Sequence, residues 1–363
     1  MTLAIVSNGF ADGPAQALRD YLVANGADVV TVFHPLTREQ GRTHVVATYA
    51  GGALVSERGV RLPLRPTASF ALDPFVPLRP PPVDVWFGFN PLACARGLVA
   101  RTGRVVLWSV DFVPDRFGRG TLATRIYDRL DRLCCLRADA RIELSAAARD
   151  ARNRRHGLGE APALVVPMGA WIDRVPTTTM DGFREGRVVF LGHLVERQGV
   201  HTLLSALEGR PADVVGTGPL ETELRARAPA NVTFHGYVPD HREVERILAR
   251  AAVAVAPYAQ TDETFSRYAD PGKLKAYLAA GLPVVLTNVP PNAQELATEA
   301  GAEIVADDPR AIANAIRHAL ASAGQWQTRR EAALAYARRF DWNVLLGDAL
   351  GELDVSPRTK PTR

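Results

Sequence analysis

At 363 residues the chain is long enough for two hydrophobic cores, since a single core stops growing near ~250–300 residues. Its 47% hydrophobic and 23% charged residues exclude a disordered or fibrous chain, and no apolar run approaches the ~20 residues of a membrane span. The net charge of +4 is split, +6 over residues 1–172 and −2 over the remainder, which argues against a nucleic-acid binder and leaves a first half suited to an acidic acceptor or a weak peripheral contact with an anionic membrane.

Apolar strand-length runs alternate with amphipathic helix-length runs from end to end, the pattern of an α/β architecture with parallel sheets. The first half reads as strand 3–6, helix 14–25, strand 28–33 and an irregular Pro/Gly-rich stretch over 35–82. That stretch contains THVVATYAGGALVSERGVRLPLR, either a hairpin inserted into the domain or a mobile acceptor loop. Strand 83–88, helix 91–101, strand 104–110, a helix near 121–136 and strand 139–144 follow. The last of these helices carries Ile126, Leu130, Leu133 and Leu136 at helical spacing within an arginine-rich run. Such a face can lie on a membrane, but the commoner outcome, packing on the chain's own sheet, is the one expected here.

Residues 173–186 lack an apolar period and read as a linker, after which the alternation restarts and runs over 187–339. An amphipathic segment at 340–355 ends in a polar tail, 356–363, expected to be disordered. Cys94, Cys134 and Cys135 make no metal spacing and adjacent cysteines are poor disulfide partners, so a reducing compartment is expected. The N-terminus enters a strand without a signal peptide, giving a cytoplasmic protein, peripheral to the inner face of a membrane at most.

The most informative stretch is 257–287, PYAQTDETFSRYADPGKLKAYLAAGLPVVLT. A strand ends at Pro257, a polar loop closes on Asp270-Pro271-Gly272-Lys273, and a short helix runs to Gly281. Strand ends and helix starts of open α/β sheets are where anions bind. Lys273 stands in the first turn, an unfavourable place for a cation without an anionic partner. The chain has three lysines (273, 275 and 360) against 40 arginines, so lysine is not its default cation. Gly192 to Gly199 and Gly216-Thr217-Gly218-Pro219 likewise join strands to helices, and Arg197 offers a charge one turn beyond a glycine. No G-x-G-x-x-G dinucleotide fingerprint, metal-ligand cluster or Ser-His-Asp set is present.

DPGKLKAYLAAGLPVVLT, with GHLVERQGV at 192–200 and GTGPLETELRA at 216–226, resembles the donor half of a GT-B glycosyltransferase of family 4 (GT4). VVLWSVDFVPDRF at 105–117, RIYDRLDRLC at 125–134 and ADARIELS at 138–145 are similar to the acceptor half. The resemblance implies two Rossmann-like, doubly wound parallel-sheet domains facing across a cleft, an acceptor-side domain over 1–172 and a donor domain over 187–339. The helix in 340–355 would cross back to the first domain. It implies retaining transfer from a nucleoside-diphosphate sugar to a glycan, lipid-linked or small-molecule acceptor, with no cofactor and no metal.

The same resemblance assigns roles. Gly192, His193, Arg197, Gly216, Gly218, Gly272, Lys273 and Leu274 would surround the donor, with Gly9 approaching it from the first domain and Tyr237 beside the base. Where the family shows G-R-L-x-x-x-K-G, this chain has His193 at the arginine, Gln198 at the lysine and Arg197 displaced by one. The family's two glutamates fall on Tyr268 and Ala276, so the ribose contact from Ala276 is lost, and Glu263 and Asp270 of the same loop are the candidates to supply one carboxylate. At the end of strand 104–110, Val110 replaces the family's histidine and leaves Asp111, either the acceptor's proton acceptor or a turn cap. Asp111, Lys273 and Arg197 are the catalytic candidates. A non-catalytic relative that binds a nucleotide or a partner enzyme, and a sugar-nucleotide epimerase on the same fold, are the alternatives.

Overall fold

The computed structural model describes residues 1–9, 13–34, 44–60, 82–100, 103–260 and 268–355. The chain divides into two compact units, Met1–Pro167 with the residues from Leu345 onward, and Met168–Val344.

The first unit is built on strands β1 (Thr2–Asn8), β2 (Asp28–His34), β3 (His44–Ala50), β4 (Ala53–Val60), β5 (Val85–Phe89), β6 (Arg104–Ser109), β7 (Ala140–Glu143) and β8 (Leu164–Val165). Their order is β4-β3-β2-β1-β5-β6-β7-β8. Leu3, Ala4, Ile5 and Val6 are fully buried, as the continuous apolar run of a central strand covered on both faces requires. All pairings are parallel except those of β3, which runs antiparallel to both neighbours. Gly51 and Gly52 at positive φ make the two-residue turn between β3 and β4, the geometry a tight hairpin needs. Of the two readings of this stretch the hairpin is the one that forms; residues 35–43 and 61–81 lie outside the described residues, as does the tail 356–363.

Helices α1 (Pro14–Ala24), α2 (Pro91–Ala100), α3 (Leu122–Arg137) and α4 (Ala146–His156) cover this sheet. The expectation that the stripe of α3 packs inward is overturned for Ile126, Leu133 and Leu136; of the four, Leu130 is half-buried against the core of this unit. The helix's buried residues are Thr124, Asp131 and Cys134, whereas Leu122, Ile126, Leu133 and Leu136 are exposed. The reason is polar. Arg152 of α4 is fully buried, with its Nε 2.8 Å from Glu143 Oε1 and its other nitrogens on Asp131 Oδ2, Ser109 Oγ and the Asp111 carbonyl. His156 Nε2 lies 2.8 Å from the same Asp131 carboxylate. Burial alone would raise the Asp131 carboxyl, but Arg152 and His156 outweigh it and hold it below the ordinary range. Asp131 must therefore face in, and helical geometry turns Ile126, Leu133 and Leu136 out.

In the second unit β9 (Val188–Leu191), β10 (Ala212–Val215), β11 (Val232–Gly236), β12 (Val253–Ala256), β13 (Val284–Thr287) and β14 (Glu303–Val305) form an all-parallel sheet. The order is β11-β10-β9-β12-β13-β14, so the winding reverses between β9 and β12. Segment 173–186, read from the sequence as a linker, instead folds onto this unit. Thr178 is buried and donates to the Ala251 carbonyl at 2.5 Å, and α5 (Met180–Glu185) follows. Further helices are α6 (Val200–Ala206), α7 (Glu221–Arg227), α8 (His241–Ala249), α9 (Gly272–Ala279), α10 (Ala293–Glu299), α11 (Pro309–Ala319), α12 (Ala323–Ala337) and α13 (Trp342–Glu352). From Leu345 onward the residues of α13 group with the first unit, where Arg104 Nη1 donates to the Leu353 carbonyl at 2.7 Å.

Arg152→Met should keep the bulk of the side chain but leave Asp131 and Glu143 without their buried counter-charge. The expected loss is about 3–5 kcal/mol in denaturant unfolding of the full chain. A loss below about 1 kcal/mol would show that the two acids find other partners.

Candidate active site

The reversal of winding between β9 and β12 leaves a gap at their carboxyl ends, where ligands of open α/β sheets bind. Gly192 follows β9 and Pro257 follows β12, so the two stretches singled out in the sequence meet there. Gly192 sits at φ +153°, and a Cβ on it would stand 3.5 Å from Lys273 Nζ and 3.5 Å from Gln198 Oε1. Both ends of the 192–199 stretch thus converge on one ammonium group.

Lys273 lies in the first turn of α9, which begins at Pro271 without any side-chain cap. Its Nζ donates to Gln198 Oε1 at 2.5 Å and stands 4.6 Å from the Phe190 ring centroid and 4.2 Å from that of Tyr258. Among the described residues no carboxylate pairs with it. Burial pushes its pKa down to about 7. An amide oxygen and two π faces hold the cation in place without neutralising it. The free N–H groups of an uncapped helix start add positive potential at the same point.

Two residues on, Lys275 has the opposite fate. It is buried with its Nζ 3.4 Å from Asp270 Oδ1 and 3.4 Å from the Phe340 ring centroid. The other oxygen of Asp270 accepts the Met168 N–H at 2.7 Å. Burial opposes both charges, raising the Asp270 carboxyl and lowering the Lys275 ammonium, and each offsets the other. Asp270, expected as a ribose ligand, is placed as a buried tie beneath the helix start. Leu274 is likewise corrected: its side chain is in the core and its N–H is taken by the Pro271 carbonyl at 3.0 Å.

The other glycines do a different task from the one the sequence suggested. A Cβ on Gly216 would lie 1.9 Å from the Gly192 carbonyl oxygen, and one on Gly218 would lie 2.4 Å from that of Leu194. A Cβ on Gly199, at φ +66°, would lie 1.6 Å from the Pro257 oxygen. These glycines let three loops press backbone against backbone around the site. His193 is exposed and Arg197 half-buried on the same turn, and the Arg197 carbonyl accepts the Ala259 N–H at 3.0 Å. Tyr237, just past β11, is 50% exposed. Gly272 opens α9, and Ala276 is buried within it. Glu263 lies outside the described residues.

Sequence reading missed Phe190, Tyr258 and Tyr277. Tyr277 is buried and its hydroxyl accepts the Leu191 N–H at 2.7 Å, pinning α9 to β9. A tyrosine directly after a strand end, as Tyr258 is, was the available signal.

In the first unit Gly9 follows β1 at φ +98°, with its N–H on the His34 carbonyl at 2.6 Å. Asp111, just beyond β6, is exposed, with Oδ2 3.6 Å from Arg116 Nη2. Among the described residues no group of His, Cys, Asp or Glu is placed to hold a metal, and no helix is long and apolar enough to cross a membrane.

With three lysines in the chain, selective lysine labelling should resolve Lys273 by carbon-detected magnetic resonance. One lysine signal should titrate near pH 7, and Lys273→Met should delete it. A Lys273 signal titrating at the ordinary lysine value, about 10.4, would refute the desolvated cation.

Residues 185–322 match the family model of glycosyl transferases group 1. No curated protein sequence matches the chain significantly. Among solved structures, sucrose-phosphate synthase from Thermosynechococcus elongatus is similar at 17% identity and TM-score 0.71, over 97% of this chain and 98% of that one. Anabaena HepE in complex with UDP-glucose is similar at 15% identity and TM-score 0.68, over 98% and 100%. WaaG, a glycosyltransferase involved in lipopolysaccharide biosynthesis, is similar at 16% identity and TM-score 0.62, over 98% and 100%. The fold is that of GT-B glycosyltransferases, and residues 185–322 carry the part that matches glycosyl transferases group 1.

Proposed function

We propose that the protein moves a sugar from a nucleoside-diphosphate donor to an acceptor hydroxyl, with retention and without a metal. One observation carries the reading: an ammonium group that no carboxylate pairs among the described residues, at an uncapped helix start, at the switch point of a parallel sheet. A diphosphate supplies the missing charge. The complexes of Anabaena HepE with UDP and with UDP-glucose, in a similar fold, support a nucleotide-sugar donor.

In this reading Lys273 and the first N–H groups of α9 hold the diphosphate, and the absent side chain of Gly192 leaves it room beside the ammonium. Arg197 and His193 add a second cation and a hydrogen-bond donor, and Tyr237 meets the base. With Asp270 engaged and Ala276 apolar, Glu263 is the carboxylate left for the ribose. As the glycosidic bond breaks, charge grows on the leaving phosphate, and the fixed cations stabilise it. The leaving group then steadies the incoming hydroxyl on its own face, which gives retention. Asp111, a carboxylate at a strand's carboxyl end in the first unit, takes the hydroxyl proton. A non-catalytic nucleotide binder is the second reading, and Ala276 with Gln198 at the family's lysine position favours it. A cytoplasmic setting with a peripheral membrane contact completes the proposal.

Binding an anion raises the Lys273 pKa from about 7. Affinity should then be greatest below that value and fall roughly tenfold per pH unit above it, until the bound-state pKa is reached. Calorimetric titration of UDP, GDP or dTDP near pH 8, in buffers of different ionisation heat, should show uptake of about one proton. Lys273→Met should abolish the uptake; unchanged uptake would place the diphosphate elsewhere.

Lys273→Ala should cost turnover ~10²–10³-fold, more than it costs donor binding. Asp111→Asn should lower turnover with donor affinity unchanged. Full activity in Asp111→Asn would leave that residue a turn cap, and nucleotide binding with no diphosphate release against any acceptor would favour the second reading.

A further inference from the structure

The exposed face of α3 has a composition that its own domain does not explain. At about 3.6 residues per turn, Leu122, Ile126, Arg129, Leu133 and Leu136 fall on one side. That side is opposite the buried Thr124 and Asp131. Leu122 is 70% exposed, Ile126 57%, Leu133 46% and Leu136 52%, while the helix buries Thr124, Asp131 and Cys134 and half-buries Leu130. Exposed arginines flank the stripe at 125, 132 and 137, and Arg129 stands within it. Arg132 Nε donates to the His156 carbonyl at 2.9 Å. Arg125, Arg129 and Arg137 have no ion-pair partner among the described residues.

The acids of α3 are turned away from this face. Asp131 is buried on Arg152 and His156, and Asp128 Oδ2 lies 2.7 Å from Arg155 Nη2. The outward surface is therefore a row of aliphatic side chains bordered by arginines and holding no carboxylate.

We infer that α3 is a docking surface for an anionic lipid bilayer, lying in the interface plane with its aliphatic row in the acyl boundary and its arginines among the headgroups. The charge complementarity decides the occupant. A face with four arginines and no acid meets a second copy of itself with repulsion, whereas an anionic leaflet attracts every one of them. Aliphatic side chains among arginines gain from the bilayer both burial and counter-charge, the two contributions that hold interfacial helices. The inference stands apart from the donor site, because α3 and the donor loops belong to different units.

The test is sedimentation of the full chain with vesicles of phosphatidylcholine alone and of phosphatidylcholine mixed with phosphatidylglycerol. The protein should bind the mixed vesicles, release from them as salt is raised, and stay free of the neutral ones. Arg125→Gln with Arg129→Gln should weaken binding by about 25-fold, near fivefold for each charge. Ile126→Ser with Leu133→Ser should weaken it by more than tenfold at any salt. All four positions are exposed, so circular dichroism and UDP affinity should match the parent protein. Absence of binding to the mixed vesicles, or equal binding of all variants, overturns the inference. So does a dimer in light scattering that the Ile126 and Leu133 substitutions dissolve, which would make the stripe a protein interface.

Discussion

The second unit is organised around a cation that no carboxylate satisfies among the described residues. Removing an ammonium group from water costs free energy unless a counter-charge and hydrogen bonds replace the solvent. Lys273 receives one amide oxygen and two aromatic faces, and its depressed pKa records the shortfall. Lys275, on the same helix, is also lowered by burial but has the Asp270 carboxylate beside it, and it serves the fold. The contrast separates the two lysines in a chain that otherwise uses arginine. A guanidinium would bring five donors in a rigid plane to a pocket offering one acceptor, whereas an ammonium on an aliphatic stem fits between rings. Lysine at 273 is thus a response to the shape of the pocket as well as to charge.

That pocket exists only because four glycines permit it. Gly199, Gly216 and Gly218 allow the loops after β9, β10 and β12 to touch through their main chains, and Gly192 leaves room beside the ammonium. Side chains at Gly199 or Gly216 would separate the loops by more than side-chain rotation can absorb, because the obstructing atoms are carbonyl oxygens. Motifs that read as phosphate loops are therefore packing devices first. Of the four, Gly192 has its open face toward the ammonium, and the other three serve the packing of the loops.

The parallel sheets were legible because strands covered on both faces appear as unbroken apolar runs, and the switch-point loop because a lysine stood at a helix start. Long-range pairing was not legible. Nothing local announces that Asp131 will meet Arg152 and His156 from another helix, and without that pairing a leucine period reads as a core face. The same blindness made Asp270 a ligand candidate, although Lys275 was two residues from the motif. Leu274 was assigned through the resemblance of DPGKLKAYLAAGLPVVLT, and helical geometry sends it and Lys273 to different faces. Segment 173–186 showed no period because it is held by single contacts such as that of Thr178, which carry no periodic signature.

Buried charge is used in two ways in this chain, and the difference lies in what is left over. Around Arg152 two carboxylates and a hydroxyl answer one guanidinium, and a further N–H holds the Asp111 carbonyl at 3.0 Å. Every bond there is spent on position: the main chain at Asp111 is fixed from beneath while its carboxylate projects to the surface beside Arg116. Around Lys273 one bond is made and the charge is left over. A network whose charges already answer one another changes little when a ligand arrives, because any movement breaks bonds already made. An unsaturated one gains a counter-charge and a proton together, so its state depends on the ligand and on pH. The first suits a residue that must be held still at a strand end, and the second suits a group whose partner is the substrate.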